Sequence, residues 1–112
     1  MEYDARTALV VVDVQNDFAH PEGSLYVAGA EEAIAAANRE IERAQGAGAL
    51  VAYTQDWHPE HTPHFARDGG IWPVHCVAGS WGSRLHDDLL ADPSAPRVRK
   101  GIGGEDGYSG FT

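Results

Sequence analysis

The sequence predicts an α/β fold, a parallel sheet with flanking helices. Two runs, residues 7–12 (TALVVV) and residues 49–54 (ALVAYT), are apolar without alternating polar side chains, which is typical of strands buried in a parallel sheet. Between them, apolar residues recur at steps of three and four, which predicts an amphipathic helix. A strand, a helix and a strand with short connections form a βαβ unit, so the two strands are expected to run parallel.

The segments around this helix carry signals of their own. Residues 18–29 are expected to form a loop, because proline and glycine interrupt them repeatedly. The helix is expected to begin at Glu31, where two acidic residues suit the positive end of the helix dipole. Either Gly46 or Gly48 is expected to end it.

The C-terminal third of the chain predicts one more helix and one more strand. Ser83 is expected to cap a short helix over residues 84–91, which ends before an Asp-Pro pair. Residues 97–101 (RVRKG) follow a proline and are expected to form a third strand. Residues 101–112 are rich in glycine and show no helix or strand pattern.

Length, charge and cysteine content limit the classes of protein to which this chain can belong. A chain of 112 residues has room for one domain. The net charge of −9 and the scattered basic residues argue against binding to nucleic acid or to anionic membranes. No apolar run approaches the roughly 18 residues of a membrane span, and the N-terminus does not resemble a secretory signal. A single cysteine cannot form an internal disulfide, so a cytoplasmic location is expected.

One stretch, residues 56–76 (DWHPEHTPHFARDGGIWPVHC), concentrates side chains that bind metals. Aspartate and imidazole suit zinc, iron(II) or manganese. The candidate ligands are Asp56, His58, His64 and His75. A histidine-rich surface loop is the alternative, and His61, His20 and His86 are expected to be surface or structural residues.

Charged residues follow each predicted strand at the same edge of the sheet. Asp13 directly follows the first strand, Asp56 follows the second, and Lys100 lies at the end of the third. In open α/β sheets this edge is where ligands bind. Asp13 and Lys100 are candidates for a base paired with a cation, although a turn cap or a simple ion pair is the alternative. Phe18 and Trp72 could enclose a flat ring, with ordinary core packing as the alternative.

Four segments in order resemble a known family, the isochorismatase-like cysteine hydrolases, and within it the nicotinamidases or pyrazinamidases. They are ALVVVDVQNDF, DWHPEHTPHF, GGIWPVHC, and RKG followed by YSGF. The resemblance covers most of the chain. It implies a three-layer αβα fold and an amidase that hydrolyses nicotinamide, or pyrazinamide, through a cysteine thioester in NAD salvage.

The resemblance also implies roles for individual residues. Asp13 resembles the base that takes the proton of the nucleophilic thiol, and Lys100 the cation that orients this base. Phe18 and Trp72 resemble the walls around the pyridine ring, and Tyr108 matches a tyrosine near the pocket. A divalent metal, zinc first with iron or manganese as alternatives, is implied at Asp56, His58, His64 and His75.

One departure from the family pattern concerns the nucleophile. The family's nucleophilic cysteine follows a later strand, whereas Cys76 matches a non-catalytic cysteine of the GGIWPVHC segment. Residues 1–112 are therefore expected to be the N-terminal part of a single, here incomplete, hydrolase domain. The expected partners are a small-molecule substrate and the remainder of the same polypeptide, and a homo-oligomer is left open. The alternatives are a non-catalytic metal-binding fragment and a related amidase with another substrate.

Overall fold

A parallel sheet organises the fold, as predicted. The computed structural model describes residues 2–111. Its three strands follow the order β1-β2-β3 and all run parallel. The elements are β1 (Ala8–Val12), α1 (Asn16–Ala19), α2 (Ala30–Gly46), β2 (Leu50–Asp56) and β3 (Arg97–Lys100), with single 3-10 turns at Ala66–Asp68 and Trp81–Ser83.

The register of the strands brings their carboxyl ends to one edge. Val12 pairs with Thr54, and Asp56 pairs with Lys100. Asp13 follows β1 directly and its backbone N–H donates to the carbonyl of Thr54. The three charged residues predicted at this edge therefore come from adjacent strands.

Helix α2 covers one face of the sheet and forms the main core with it. Its start at Ala30 and its end at Gly46 lie within one residue of the predicted limits. Ile41 and Ala44 of α2 are fully buried against Val11, Val51 and the ring of Tyr53. The acidic residues in the first turn suit the helix dipole, as expected.

The expectation that β1 is buried on both faces is wrong for residues 2–111. β1 lies at an edge of the sheet and pairs only with β2. Val11 faces α2 and is buried, whereas Val10 and Val12 point to the other face and are 39% and 61% exposed. No described element covers this second face of β1, so its apolar side chains remain accessible.

The predicted helix over residues 84–91 is also wrong. This stretch lies beside the chain that follows β1, and its backbone groups bond across to that chain. The N–H of Asn16 donates to the carbonyl of Arg84, and the N–H of His86 donates to the carbonyl of Val14. The carbonyl of Arg84 is one that a helix over residues 84–91 would use internally, so its bond to Asn16 competes with that helix. The preceding turn, Trp81–Ser83, is capped by Ser80.

Two smaller points complete the fold. The loop expected over residues 18–29 begins only after α1 (Asn16–Ala19), a short helix that the sequence did not predict. Residues 101–111 form turns with neither helix nor strand, as predicted. Within residues 2–111, no helix combines the length and apolarity required to cross a membrane.

Candidate active site

A cavity of about 220 Å³ opens at the carboxyl edge of the sheet. Every site residue predicted from the sequence lines it: Asp13, Phe18, Asp56, His58, His64, Trp72, His75, Lys100 and Tyr108. Leu25, Asp106 and Gly107 complete the lining and were not predicted. The cavity thus gathers residues from three strands, the long loop after β2 and the C-terminal tail.

The ammonium of Lys100 lies at the base of the cavity and is almost fully buried. It donates to Asp13 Oδ2 at 2.6 Å, to Asp56 Oδ1 at 2.8 Å and to the carbonyl of Gly107 at 2.5 Å. These three acceptors use all three protons of the ammonium. Lys100 therefore has one defined position between two carboxylates.

Burial and ion pairing oppose each other at this pair of charges. Burial would lower the pKa of Lys100, but hydrogen bonds to Asp13 and Asp56 outweigh it, and the net pKa is raised. Burial would likewise raise the pKa of Asp56, but His58 and Lys100 outweigh it, and the net pKa is lowered. Both residues are therefore charged at neutral pH.

Asp13 has a strained backbone and a carboxylate that remains reachable from the cavity. Its φ of 54° is in the left-handed region, which is uncommon for a residue other than glycine. Asp13 Oδ1 accepts the hydroxyl proton of Thr54 at 2.6 Å, and Oδ2 accepts from Lys100. The side chain keeps 20% exposure. A carboxylate held in place beside a cation suits a proton acceptor.

Three predicted metal ligands converge at one side of the cavity. Asp56 Oδ2 lies 3.6 Å from His58 Nε2 and 3.8 Å from His75 Nε2. One ligand atom from each residue lies within 4.8 Å of the others, and all three residues are buried. Atoms spaced in this way can share one ion at the roughly 2.0–2.2 Å typical of zinc–nitrogen and zinc–oxygen bonds.

The hydrogen bonding of His75 and the surroundings of His58 fit a metal ion. His75 Nδ1 lies 2.7 Å from the carbonyl of Pro73, which only accepts, so Nδ1 carries the proton and Nε2 offers a lone pair. Burial lowers the pKa of His75, which keeps the ring neutral. His58 Nδ1 is buried and has no hydrogen-bond partner among residues 2–111, while its Nε2 faces Asp56. Two imidazoles and a carboxylate form a donor set suited to a divalent ion.

His64 lines the cavity but stands apart from these three residues. Its Nε2 lies 2.8 Å from the carbonyl of Gly104 and therefore donates to the C-terminal tail. His64 thus remains a predicted ligand, and its Nε2 is bonded to the tail in this structure. His61 is exposed and contacts Asp68, in line with its expected place among the surface residues.

Aromatic side chains form the remaining walls. The ring of Phe18 lies 5.6 Å from that of His75, so it borders the proposed metal ligands. Trp72 donates its indole N–H to the hydroxyl of Tyr108 at 3.2 Å. Phe65, fully buried and not predicted as a site residue, packs its ring edge-on against both His58 and His75. An aromatic setting beside the ligand set suits a flat, partly apolar molecule.

Cys76 behaves as a buried structural residue. Its side chain is fully buried, and it does not line the cavity. Burial, together with the nearby carboxylates of Asp56 and Asp17, raises the pKa of the thiol well above its ordinary range. The thiol is therefore protonated at neutral pH, and the reactive form of a cysteine is the thiolate.

Sequence reasoning missed the polar residues that hold the site together. Gln15, fully buried, donates to the carbonyls of Asp56 and Ser83 and accepts from the N–H of Asp56. Asp17 accepts from the backbone of Cys76. One signal could have found both: polar side chains at alternate positions 13, 15 and 17 follow directly after an apolar strand.

Comparison with known proteins agrees with this geometry. Residues 7–111 match the model of the isochorismatase domain. The chain is 36% identical to the nicotinamidase of Escherichia coli, covering 93% of this chain and 56% of that protein. It resembles the structure of a Pyrococcus horikoshii pyrazinamidase in complex with zinc, with a TM-score of 0.84 and 38% identity over 99% of this chain and 59% of that one.

A second solved structure, PnC1 from L. infantum in complex with nicotinate, gives a TM-score of 0.83 and 35% identity over 94% of this chain and 52% of that one. The chain thus spans little more than half the length of these relatives. The family model nonetheless matches nearly all of it, and the fold agrees with both structures. The chain therefore belongs to the isochorismatase domain family.

Proposed function

We propose that residues 1–112 form the N-terminal part of one amidase domain, which hydrolyses nicotinamide to nicotinate and ammonia and also accepts pyrazinamide. The observation that supports this most is the single cavity that joins the Asp13–Lys100 pair, three buried metal ligands and the ring of Trp72. The relatives named nicotinamidase, and a neighbour bound to nicotinate, support the same substrate class. We place the reaction in the cytoplasm, where single cysteines stay reduced.

Asp56, His58 and His75 would hold the divalent metal, with His64 as the fourth candidate ligand. Zinc is the first choice because a zinc complex of a similar structure is known, and iron or manganese would suit the same donors. When bound, the metal would attract the ring nitrogen of the substrate, directly or through water, and so orient the carboxamide. Phe18 and Trp72 would hold the ring between them, with Tyr108 closing the side toward the tail.

Asp13 would act as the proton acceptor, and Lys100 would hold its carboxylate in place. The attacking thiol is proposed to lie on polypeptide outside residues 1–112, because the thiol of Cys76 is buried and protonated. Asp13 would take the thiol proton as sulfur adds to the carboxamide carbon. The C–N bond then breaks, and the proton leaves with nitrogen as ammonia. Water next adds to the thioester and releases nicotinate and the thiol.

Ammonia release from nicotinamide tests this proposal in the protein that carries this chain within its complete polypeptide. Turnover is expected, and a chelator is expected to abolish it reversibly. Pyrazinamide should also be hydrolysed. Turnover of other linear amides in preference to nicotinamide would favour a related amidase of the same family, and no turnover of any amide would overturn the proposal.

A non-catalytic metal-binding fragment is the second candidate. One observation favours it: the only cysteine among the 112 residues is buried and does not line the cavity. Whole-mass measurement of the natural protein separates the two. A mass near 12.0 kDa with bound metal and no ammonia release would support the fragment, and a heavier species with turnover would support the amidase.

A further inference from the structure

We propose that Asp17 is a positioning residue that sets the place of His75 by holding the backbone of Cys76, an inference that rests on the proposed metal site. Asp17 Oδ2 accepts the backbone N–H of Cys76 at 2.7 Å, across 59 positions of the sequence. Asp17 Oδ1 accepts the backbone N–H of Ser24 at 3.2 Å. The carboxylate therefore ties the segment after β1 to the far end of the long loop.

The backbone that Asp17 holds is strained. Cys76 has a φ of 50°, in the left-handed region that side chains other than glycine rarely adopt. Such a conformation persists only where surrounding contacts enforce it. The N–H of Cys76 is fixed by Asp17, and its carbonyl accepts the N–H of His58 at 3.0 Å.

This turn connects two metal ligands. His75 directly precedes Cys76, and His58 bonds to the carbonyl of Cys76. A change in the position of Cys76 would therefore move both imidazoles relative to Asp56. Hydrogen bonds that orient ligands from outside the metal's own shell commonly affect metal affinity.

Gly82 gives independent support. A Cβ at Gly82 would lie 2.0 Å from Asp17 Oδ2, so only a residue without a side chain leaves room for the carboxylate. The φ of Gly82 is not in the left-handed region, so the backbone itself does not require glycine. The Asp17 carboxylate thus occupies the space that a side chain at position 82 would need, and Gly82→Ala should displace that carboxylate from Cys76.

Zinc affinity of the complete protein that carries residues 1–112, measured by competition with a chromogenic chelator, tests the proposal. Asp17→Ala should weaken binding by about 10- to 100-fold, the usual effect of removing a group that orients a ligand. Asp17→Asn should weaken it less, since one amide oxygen can still accept from Cys76. Gly82→Ala should reproduce the loss. Glu22→Ala, which removes an exposed acidic residue of the loop that follows α1, is the matched control and should leave affinity unchanged.

Thermal unfolding without metal, recorded for each variant, separates positioning from general stability. If Asp17→Ala lowers the unfolding temperature but leaves zinc affinity unchanged, the proposal is overturned. Hydrogen exchange of the Cys76 amide, also recorded without metal, should accelerate at least tenfold in Asp17→Ala relative to Glu22→Ala. If the unaltered chain binds no zinc, the metal site itself fails, and unchanged exchange at Cys76 then overturns the positioning role separately.

Discussion

The three protons of Lys100 reach Asp13, Asp56 and the carbonyl of Gly107, so this one side chain connects the proposed proton acceptor, a proposed metal ligand and the tail. The positive charge of Lys100 compensates the negative charges of the Asp13 and Asp56 carboxylates in the cavity. Removing the cation leaves both carboxylates facing each other in a largely buried setting, which is far more costly than losing an exposed ion pair.

Lys100→Met is expected to lower the free energy of unfolding by about 3 kcal/mol, because it leaves buried carboxylates without their partner. Adding Asp13→Asn to this variant removes one of the two negative charges and should recover part of the loss. Urea unfolding of the single and double variants measures both effects. A loss under about 1 kcal/mol would mean that the pair behaves as if it were exposed.

Asp13→Asn should abolish ammonia release by the complete enzyme while leaving bound zinc in place. Asparagine has nearly the same shape and tolerates a left-handed backbone, but it cannot accept the thiol proton. Turnover and metal content, determined on the same sample, check the two halves of this expectation. Substantial remaining turnover would remove Asp13 as the proton acceptor.

Cys76 should react slowly with iodoacetamide in the folded chain, and raising the pH to about 9, near the ordinary pKa of a thiol, should accelerate the reaction little. The reason is that burial and nearby negative charge hold the pKa of the thiol far above that range. Labelling in urea is the control, since the unfolded thiol should react at the ordinary rate. Rapid labelling of the folded protein would contradict the assignment of Cys76 as a structural residue.

At the scale of the elements, the packing of α2 on the sheet stabilises the fold. Ile41 is fully buried in the main core cluster. Ile41→Ala is expected to lower the free energy of unfolding by about 2–5 kcal/mol through lost burial and a remaining cavity. Glu42→Ala, at an exposed position of the same helix, should change it by no more than about 0.5 kcal/mol. Urea unfolding of the two variants gives the comparison.

The sequence predicted the elements whose signals are local. Apolar runs located β1 and β2, and helical spacing located α2, because these patterns reflect what each element buries. The proline before residues 97–101 located β3. The helix expected over residues 84–91 failed because backbone bonds to Val14 and Asn16, distant in sequence, took its place. No short-range pattern contains that information.

The same distinction applies to the candidate site. Charged and imidazole side chains at strand ends could be predicted, since parallel strands bring those ends together. The supporting contacts of Gln15, Thr54 and Gly107 could not, because each depends on a partner that only the folded chain supplies. The hydrogen bond between His64 and the carbonyl of Gly104 could not be predicted for the same reason.

For the whole molecule, metal binding should couple directly to stability. A ligand that binds only the folded state adds about 2.7 kcal/mol at a concentration 100 times its dissociation constant. Zinc should therefore raise the unfolding temperature of the unaltered chain. His58→Ala removes one of three converging donors and should abolish this increase, whatever its own effect on stability without metal. An equal increase in both proteins would exclude His58 as a ligand.

The two carboxylate oxygens of Asp56 contact different neighbours. Oδ1 accepts a hydrogen bond from Lys100, and Oδ2 faces His58 and His75. The proposed metal ligands and the Asp13–Lys100 pair are therefore electrostatically coupled through Asp56. Replacing one divalent ion by another would change how much electron density this carboxylate leaves for the ammonium. The pH–rate profile of the proposed amidase should consequently shift with the identity of the metal.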